Sequence, residues 1–131
     1  MIFLVNVITL IWKFHMSLGA AICKESDIPE NNMRCFKTDH GKVVVYRLSD
    51  GFYATQAKCS HLLGSLHKGK IIDGCKIQCP LHRAQFDIKS GEVEKWANFP
   101  VGVQLLNFIR SKKALKTYTV HIVGSELFIE A

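Results

Sequence analysis

The chain has 131 residues, 17 Lys and Arg against 11 Asp and Glu, and a formal charge of +6, which fits one domain with one modest core. Five cysteines, an odd set without the density of a disulfide-stapled secreted scaffold, point instead to a reducing, cytoplasmic setting. The basic excess raises nucleic acid as a partner, but there is no recognition-helix pattern, no aromatic ladder among the charges and no basic arm.

The elements follow in chain order. Ile2 to Trp12 is an apolar run broken by Asn6 and Thr9. It is too short for a bilayer span of ~20 residues. It also lacks the basic start of a signal peptide, because the first basic residue, Lys13, follows it. Residues 1–17 are therefore set apart as an extension, read first as the product of an upstream start codon. A membrane-surface contact or an added strand or helix are the alternatives. The domain is expected over 18–131. Gly19–Lys24 reads as a first strand and Asp27 to Asn32 as a loop. Met33–Thr38 and Lys42–Leu48 are expected to pair across Asp39-His40-Gly41, and Phe52–Gln56 to return after Ser49-Asp50-Gly51, where Asp-Gly is a hairpin signal. Val43, Val45 and Arg47 alternate with Val44, Tyr46 and Leu48, so this strand is expected to be partly buried on both faces.

After a loop from Ala57 to Ser65, short strands Gly69–Ile72 and Cys75–Gln78 are joined by Asp73-Gly74. A second loop, Cys79 to Ala84, leads into a strand Gln85-Phe86-Asp87, and Lys89-Ser90-Gly91 turns back to Val93. Leu105, Leu106 and Ile109 within Val101 to Arg110 suit a short helical turn in a covering flap, with a docking edge as the alternative. Tyr118–Val123 and Glu126–Ile129 form a hairpin through Gly124-Ser125. Short branched-apolar runs bounded by turn signals make this an all-β chain. No internal repeat or low-complexity tract is present.

Chemistry concentrates in the two loops. Cys59-Ser60-His61 and Cys79-Pro80-Leu81-His82 are separated by 17 residues, and each offers one thiolate and one imidazole. A structural zinc accepts two Cys and two His, yet zinc fingers usually place two Cys in one arm and two His in the other. Mixed arms suit a two-iron centre in which one iron takes two Cys and the other two His. Zinc remains the alternative, separated by assay of iron and acid-labile sulfide. Cys23, Cys35 and Cys75 read as small packing residues, since no C-x-x-C pair exists. His15, His40, His67 and His121 show no ligand spacing, and Trp12 and Trp96 read as packing residues. Leu62, Leu63, Pro80 and Leu81 would form an apolar collar. Basic residues gather near the loops: Lys58, Lys68, Lys70, Lys76 and Arg83, then Arg110, Lys112, Lys113 and Lys116. Such a surface would attract acidic faces on protein partners.

Residues 59–82, with Gly64, Pro80 and Phe86-Asp87 in the flanks, resemble the cluster-binding loops of Rieske [2Fe-2S] proteins. The resemblance implies an antiparallel β-sandwich with a small cluster-binding subdomain of two loops, over about 57–87. It implies one [2Fe-2S] cluster, with Cys59 and Cys79 on the buried iron and His61 and His82 on the outer one. High-potential respiratory members carry a bracing pair of Cys at the positions of Gly64 and Leu81, a Ser at Ala84 and a Tyr at Phe86. Those hydroxyls donate to cluster sulfurs and stabilise the reduced form. Without them the potential is expected at the low end of the Rieske span, roughly −150 mV. The remaining N–H of each His should couple reduction to protonation at alkaline pH, seen as a potential that falls between neutral pH and about pH 10.

The functional expectation is a monomeric one-electron carrier, similar to the ferredoxins of ring-hydroxylating dioxygenase systems. It would stand between an NAD(P)H-dependent flavin reductase and a terminal oxygenase. It is not itself an enzyme, because no room remains for a mononuclear iron site of two His and a carboxylate. A Rieske-like small subunit of an assimilatory nitrite reductase, a zinc-bound interaction module and a redox sensor are the alternatives.

Overall fold

The computed structural model describes residues 19–60, 64–81, 83–96 and 113–130. The extension at 1–17 and the stretch from Val101 to Arg110, with its expected helical turn, lie outside them. The described residues form ten strands: β1 (Cys23–Lys24), β2 (Asn32–Thr38), β3 (Gly41–Leu48), β4 (Gly51–Gln56), β5 (Lys70–Ile72), β6 (Lys76–Gln78), β7 (Gln85–Asp87), β8 (Val93–Lys95), β9 (Thr117–Val123) and β10 (Glu126–Glu130). Among the described residues there is no α-helix, only two 3-10 turns at Glu25–Asp27 and Leu66–Lys68.

All pairing is antiparallel, in a six-stranded sheet ordered β1-β10-β9-β4-β3-β2 and a four-stranded sheet ordered β5-β6-β7-β8. β3 pairs on both sides, with β2 and β4. Its Val43 to Tyr46 run is fully buried, as continuous branched-apolar sequence requires of a strand covered on both faces. Val44, Tyr46 and Leu48 face one apolar layer with Ile77, Phe86 and Ile88 of the small sheet and its flank. Val43 and Val45 face a second layer with Ile28, Ala54, Leu127 and Ile129. Strands β3 and β10 are separated in the sheet by β4 and β9 yet share that layer, so the large sheet curls over itself.

The boundaries differ from expectation where glycine changes its role. Leu48 pairs with Gly51, so the turn residues are Ser49-Asp50 and Gly51 opens β4. Thr38 likewise pairs with Gly41 across Asp39-His40. The first strand shrinks to Cys23–Lys24, and at its expected start Gly19 takes φ +73°, outside the extended region. Ile22 still donates to the Leu127 carbonyl at 2.8 Å. At Asp73-Gly74 the expected turn forms, both residues being left-handed at φ 53° and 68°.

Candidate metal centre

The two Cys loops close in the same way. Cys59 N–H donates to the Gly64 carbonyl at 2.7 Å, and Cys79 N–H donates to the Ala84 carbonyl at 2.8 Å. Each bond joins a Cys to the residue five places on, so each loop is a four-residue tip on a closed neck. Below the first neck, Lys58 and Ser65 form an isolated bridge and Leu66 N–H donates to the Ala57 carbonyl at 2.9 Å. Below the second, Gln78 and Gln85 stand opposite each other in the β6–β7 ladder, and Gln85 Nε2 donates to Gln78 Oε1 at 2.9 Å. Arg83, at φ 59°, turns the second tip back, and its N–H donates to the Cys79 carbonyl at 3.1 Å.

Cys59 and Cys79 are 1% and 2% exposed and belong to one apolar layer with Leu66, Ala84, Phe86 and Trp96. Gly64 lies between the loops. A Cβ there would sit 2.8 Å from Cys79 Sγ and 3.1 Å from Leu81 Cγ. Positions 64 and 81 therefore face each other, and glycine keeps room beside the sulfur. Trp96 packs edge-on to Phe86, with centroids 6.3 Å apart. Ser60, next to Cys59, donates its hydroxyl to the Lys113 carbonyl and so fastens the first tip to the irregular segment leading into β9.

The Rieske [2Fe-2S] domain model matches residues 20–119. This chain belongs to that family. The Rieske chain is 29% identical over 109 residues to the 3-phenylpropionate/cinnamic acid dioxygenase ferredoxin subunit of Shigella boydii, covering 82% of this chain and 89% of that protein. It is similar to a solved complex of reduced oxygenase and oxidised ferredoxin in carbazole 1,9a-dioxygenase, at TM-score 0.67 and 25% identity, over 84% of this chain and 90% of the matched one. The ferredoxin of carbazole 1,9a-dioxygenase from Nocardioides aromaticivorans shares the fold, with TM-score 0.68 and 22% identity over 84% of this chain and 94% of that one.

The donor set fits the one [2Fe-2S] cluster that a Rieske domain implies. Two thiols lie in one dry layer, on loops of matching closure, with a glycine cradle beside one sulfur. When bound, such a cluster supplies one-electron transfer. His61 and His82 lie outside the described residues, as do Leu62 and Leu63 of the expected collar. Among the described residues no three or more His, Cys, Asp or Glu side chains group as a metal site. The ends that carry the two His are described: Ser60 and Gly64 bracket one, Leu81 and Arg83 the other. Pro80 and Leu81 of the collar are exposed, Leu81 at 51%.

Of the other cysteines, Cys23 and Cys35 take the packing roles expected, whereas Cys75 is half-buried and belongs to neither apolar layer. Cys35 borders the layer that holds the Cys loops, and Cys23 borders the opposite one. Burial, then the nearby Asp27 charge, push the Cys23 thiol up to about 11, against a smaller opposing pull from Arg34. A thiol so placed is protonated and unreactive at neutral pH. Sequence reasoning missed Ser60, Gln78 and Gln85 as supports. Only the position of each beside a Cys loop hinted at such a role. No helix among the described residues is long and apolar enough to cross a membrane.

Proposed function

We propose that this chain is the ferredoxin component of a ring-hydroxylating oxygenase system. It receives one electron from an NAD(P)H-dependent flavin reductase, passes it to a terminal oxygenase, and turns over no substrate itself. The observation that carries this reading is the pair of alike necks that bring Cys59 and Cys79 into one dry layer at the base of two tips. The 29% identity to a dioxygenase ferredoxin subunit over most of both chains supports the choice of system.

In this reading Cys59 and Cys79 hold the inner iron, and His61 and His82 hold the outer one. The working domain is 18–131, with its cluster-binding part at about 57–87 and residues 1–17 outside it. The carrier is a cytoplasmic monomer. Ala84 and Phe86 are both buried beside the cysteines and carry no hydroxyl, which supports a potential at the low end of the Rieske span.

Electron paramagnetic resonance of the dithionite-reduced protein, purified without oxygen, tests this. The expected result is the lowered average g of a nitrogen-ligated [2Fe-2S] centre. An all-thiolate signal, or no signal with zinc bound, overturns it. A siroheme reductase that co-purified in place of an oxygenase would move the protein to the small-subunit role.

A further inference from the structure

We infer that the flank of the first Cys loop is the electrostatic docking site for the acidic face of a protein redox partner. The partner then meets this chain off-centre, over the Cys59 loop, rather than squarely on both tips. The inference rests on the electron-carrier reading above and adds where, on this chain, the partner is held.

Three lysines are fixed to a single point of the backbone. Gln56, at the end of β4, donates its N–H to the Lys116 carbonyl at 2.9 Å and accepts the Lys116 N–H on its side-chain carbonyl at 2.8 Å. Its side-chain amide donates to the Lys58 carbonyl at 2.7 Å. The next residue, Ala57, donates to the Lys42 carbonyl at 3.2 Å. Lys42, Lys58, Gln56, His40 and Tyr118 line an open hollow of about 430 Å³. Lys116 Nζ lies over the Tyr118 ring, 5.2 Å from its centroid, which holds that charge at the rim. Lys113 joins from the loop side, where its carbonyl accepts the Ser60 hydroxyl.

All four lysines are exposed, and among the described residues no ion pair involves any of them. No carboxylate lines the hollow. One exposed charge is screened within about 10 Å at 0.1 M salt, but several of one sign around a concave surface add their fields. The other side of the loops is basic too, through Lys68 and Lys70, yet is arranged differently. There Lys76 stands opposite Asp87 in the ladder and Asp73 occupies the adjoining turn. The hollow adjoins Ala57 and Lys58, the residues that lead into Cys59. A protein held there sits beside the first Cys loop. A lipid surface or nucleic acid would gain nothing from that position.

The test measures binding of the cluster-loaded, oxidised protein to oxidised cytochrome b5, an acidic one-electron protein used as the probe, at about 20 and about 200 mM salt. Two variants with equal change of net charge are compared, K58E/K116E and K68E/K70E. The expected result is a loss of about tenfold or more for K58E/K116E at the lower salt, and of about twofold at most for K68E/K70E. Equal losses in the two variants, or none in K58E/K116E, overturn the inference. So does probe binding no tighter than that of phosphatidylserine vesicles or of a short DNA duplex. If K58E/K116E does not fold, K58Q/K116Q must weaken binding more than K68Q/K70Q. The resonance spectrum is recorded for every protein first. A normal cluster signal with binding indifferent to the flank overturns the docking site alone, whereas a wild-type protein without that signal overturns the carrier reading.

Discussion

Tyr46 carries a phenol into the layer that holds the Cys loops, and its hydrogen bond has only one consistent direction. Thr55 Oγ1 donates its single proton to the Gln56 carbonyl at 2.9 Å, so in the 2.9 Å contact between Tyr46 and Thr55 the phenol is the donor. Burial pushes the Tyr46 phenol well above its usual value, more than the bond to Thr55 lowers it. A neutral acid with a raised folded value stabilises the fold fully below its unfolded value, near 10. That contribution is lost as pH climbs through the folded value. Cys23 acts in the same sense between its ordinary 9.0 and about 11. Tyr46→Phe should cost about 1 kcal/mol at neutral pH, and the gap to wild type should narrow above about pH 10 in urea unfolding. Cys23 is common to both proteins and cancels. At the two positions without hydroxyls, Ala84→Ser with Phe86→Tyr should raise the potential by adding donors toward cluster sulfur. Protein-film voltammetry reads the direction, and a fall would refute it.

At the scale of elements, the second loop depends on a close approach of two backbones. A Cβ on Gly69 would lie 1.9 Å from the Gln78 carbonyl oxygen, and Gln78 directly precedes Cys79. Gly69→Ala should therefore cost about 3 kcal/mol, shown by a lower denaturation midpoint, and should reduce the iron and sulfide bound per chain. Much at this scale was legible beforehand because its signals are local. The Val43 to Tyr46 run announced a strand buried on both faces, and Asp73-Gly74 and Gly124-Ser125 announced their turns. Glycine misled where it opens a strand instead of making the turn, as Gly51 does. The pairing of Ala54 with Tyr118 joins the halves of the large sheet, and no local pattern marks a partner that distant. At the site, the residue types and spacing were legible because ligand chemistry is strict. Gly64 was legible through the family pattern, and the structure sets it against Leu81 as that pattern implies. Other support was not: the Ser60 hydroxyl finds its acceptor 53 residues away.

Across the whole molecule, charge is divided along β3. Lys42 stands at its start beside the basic hollow, while Glu25, Glu30 and Asp50 surround a second hollow at its far end, about 20 Å away. Arg47 and Lys89 temper that acidic end: Arg47 donates to the Glu25 and Ile28 carbonyls, and Lys89 pairs with Asp50. The resulting dipole should orient the molecule before contact, so association with an acidic protein should slow as salt rises while dissociation changes less. Stopped-flow mixing over a salt series reads both rates.

Trp96 is buried in the layer shared by Cys59 and Cys79, with its ring against Phe86. An indole so near a chromophore that absorbs visible light is a built-in lamp. Its emission should be dim while iron and sulfide are in place and brighten as they are lost. With Trp12, the chain's other tryptophan, replaced by Phe to darken the background, cofactor loss could be followed in the purified protein without any added label.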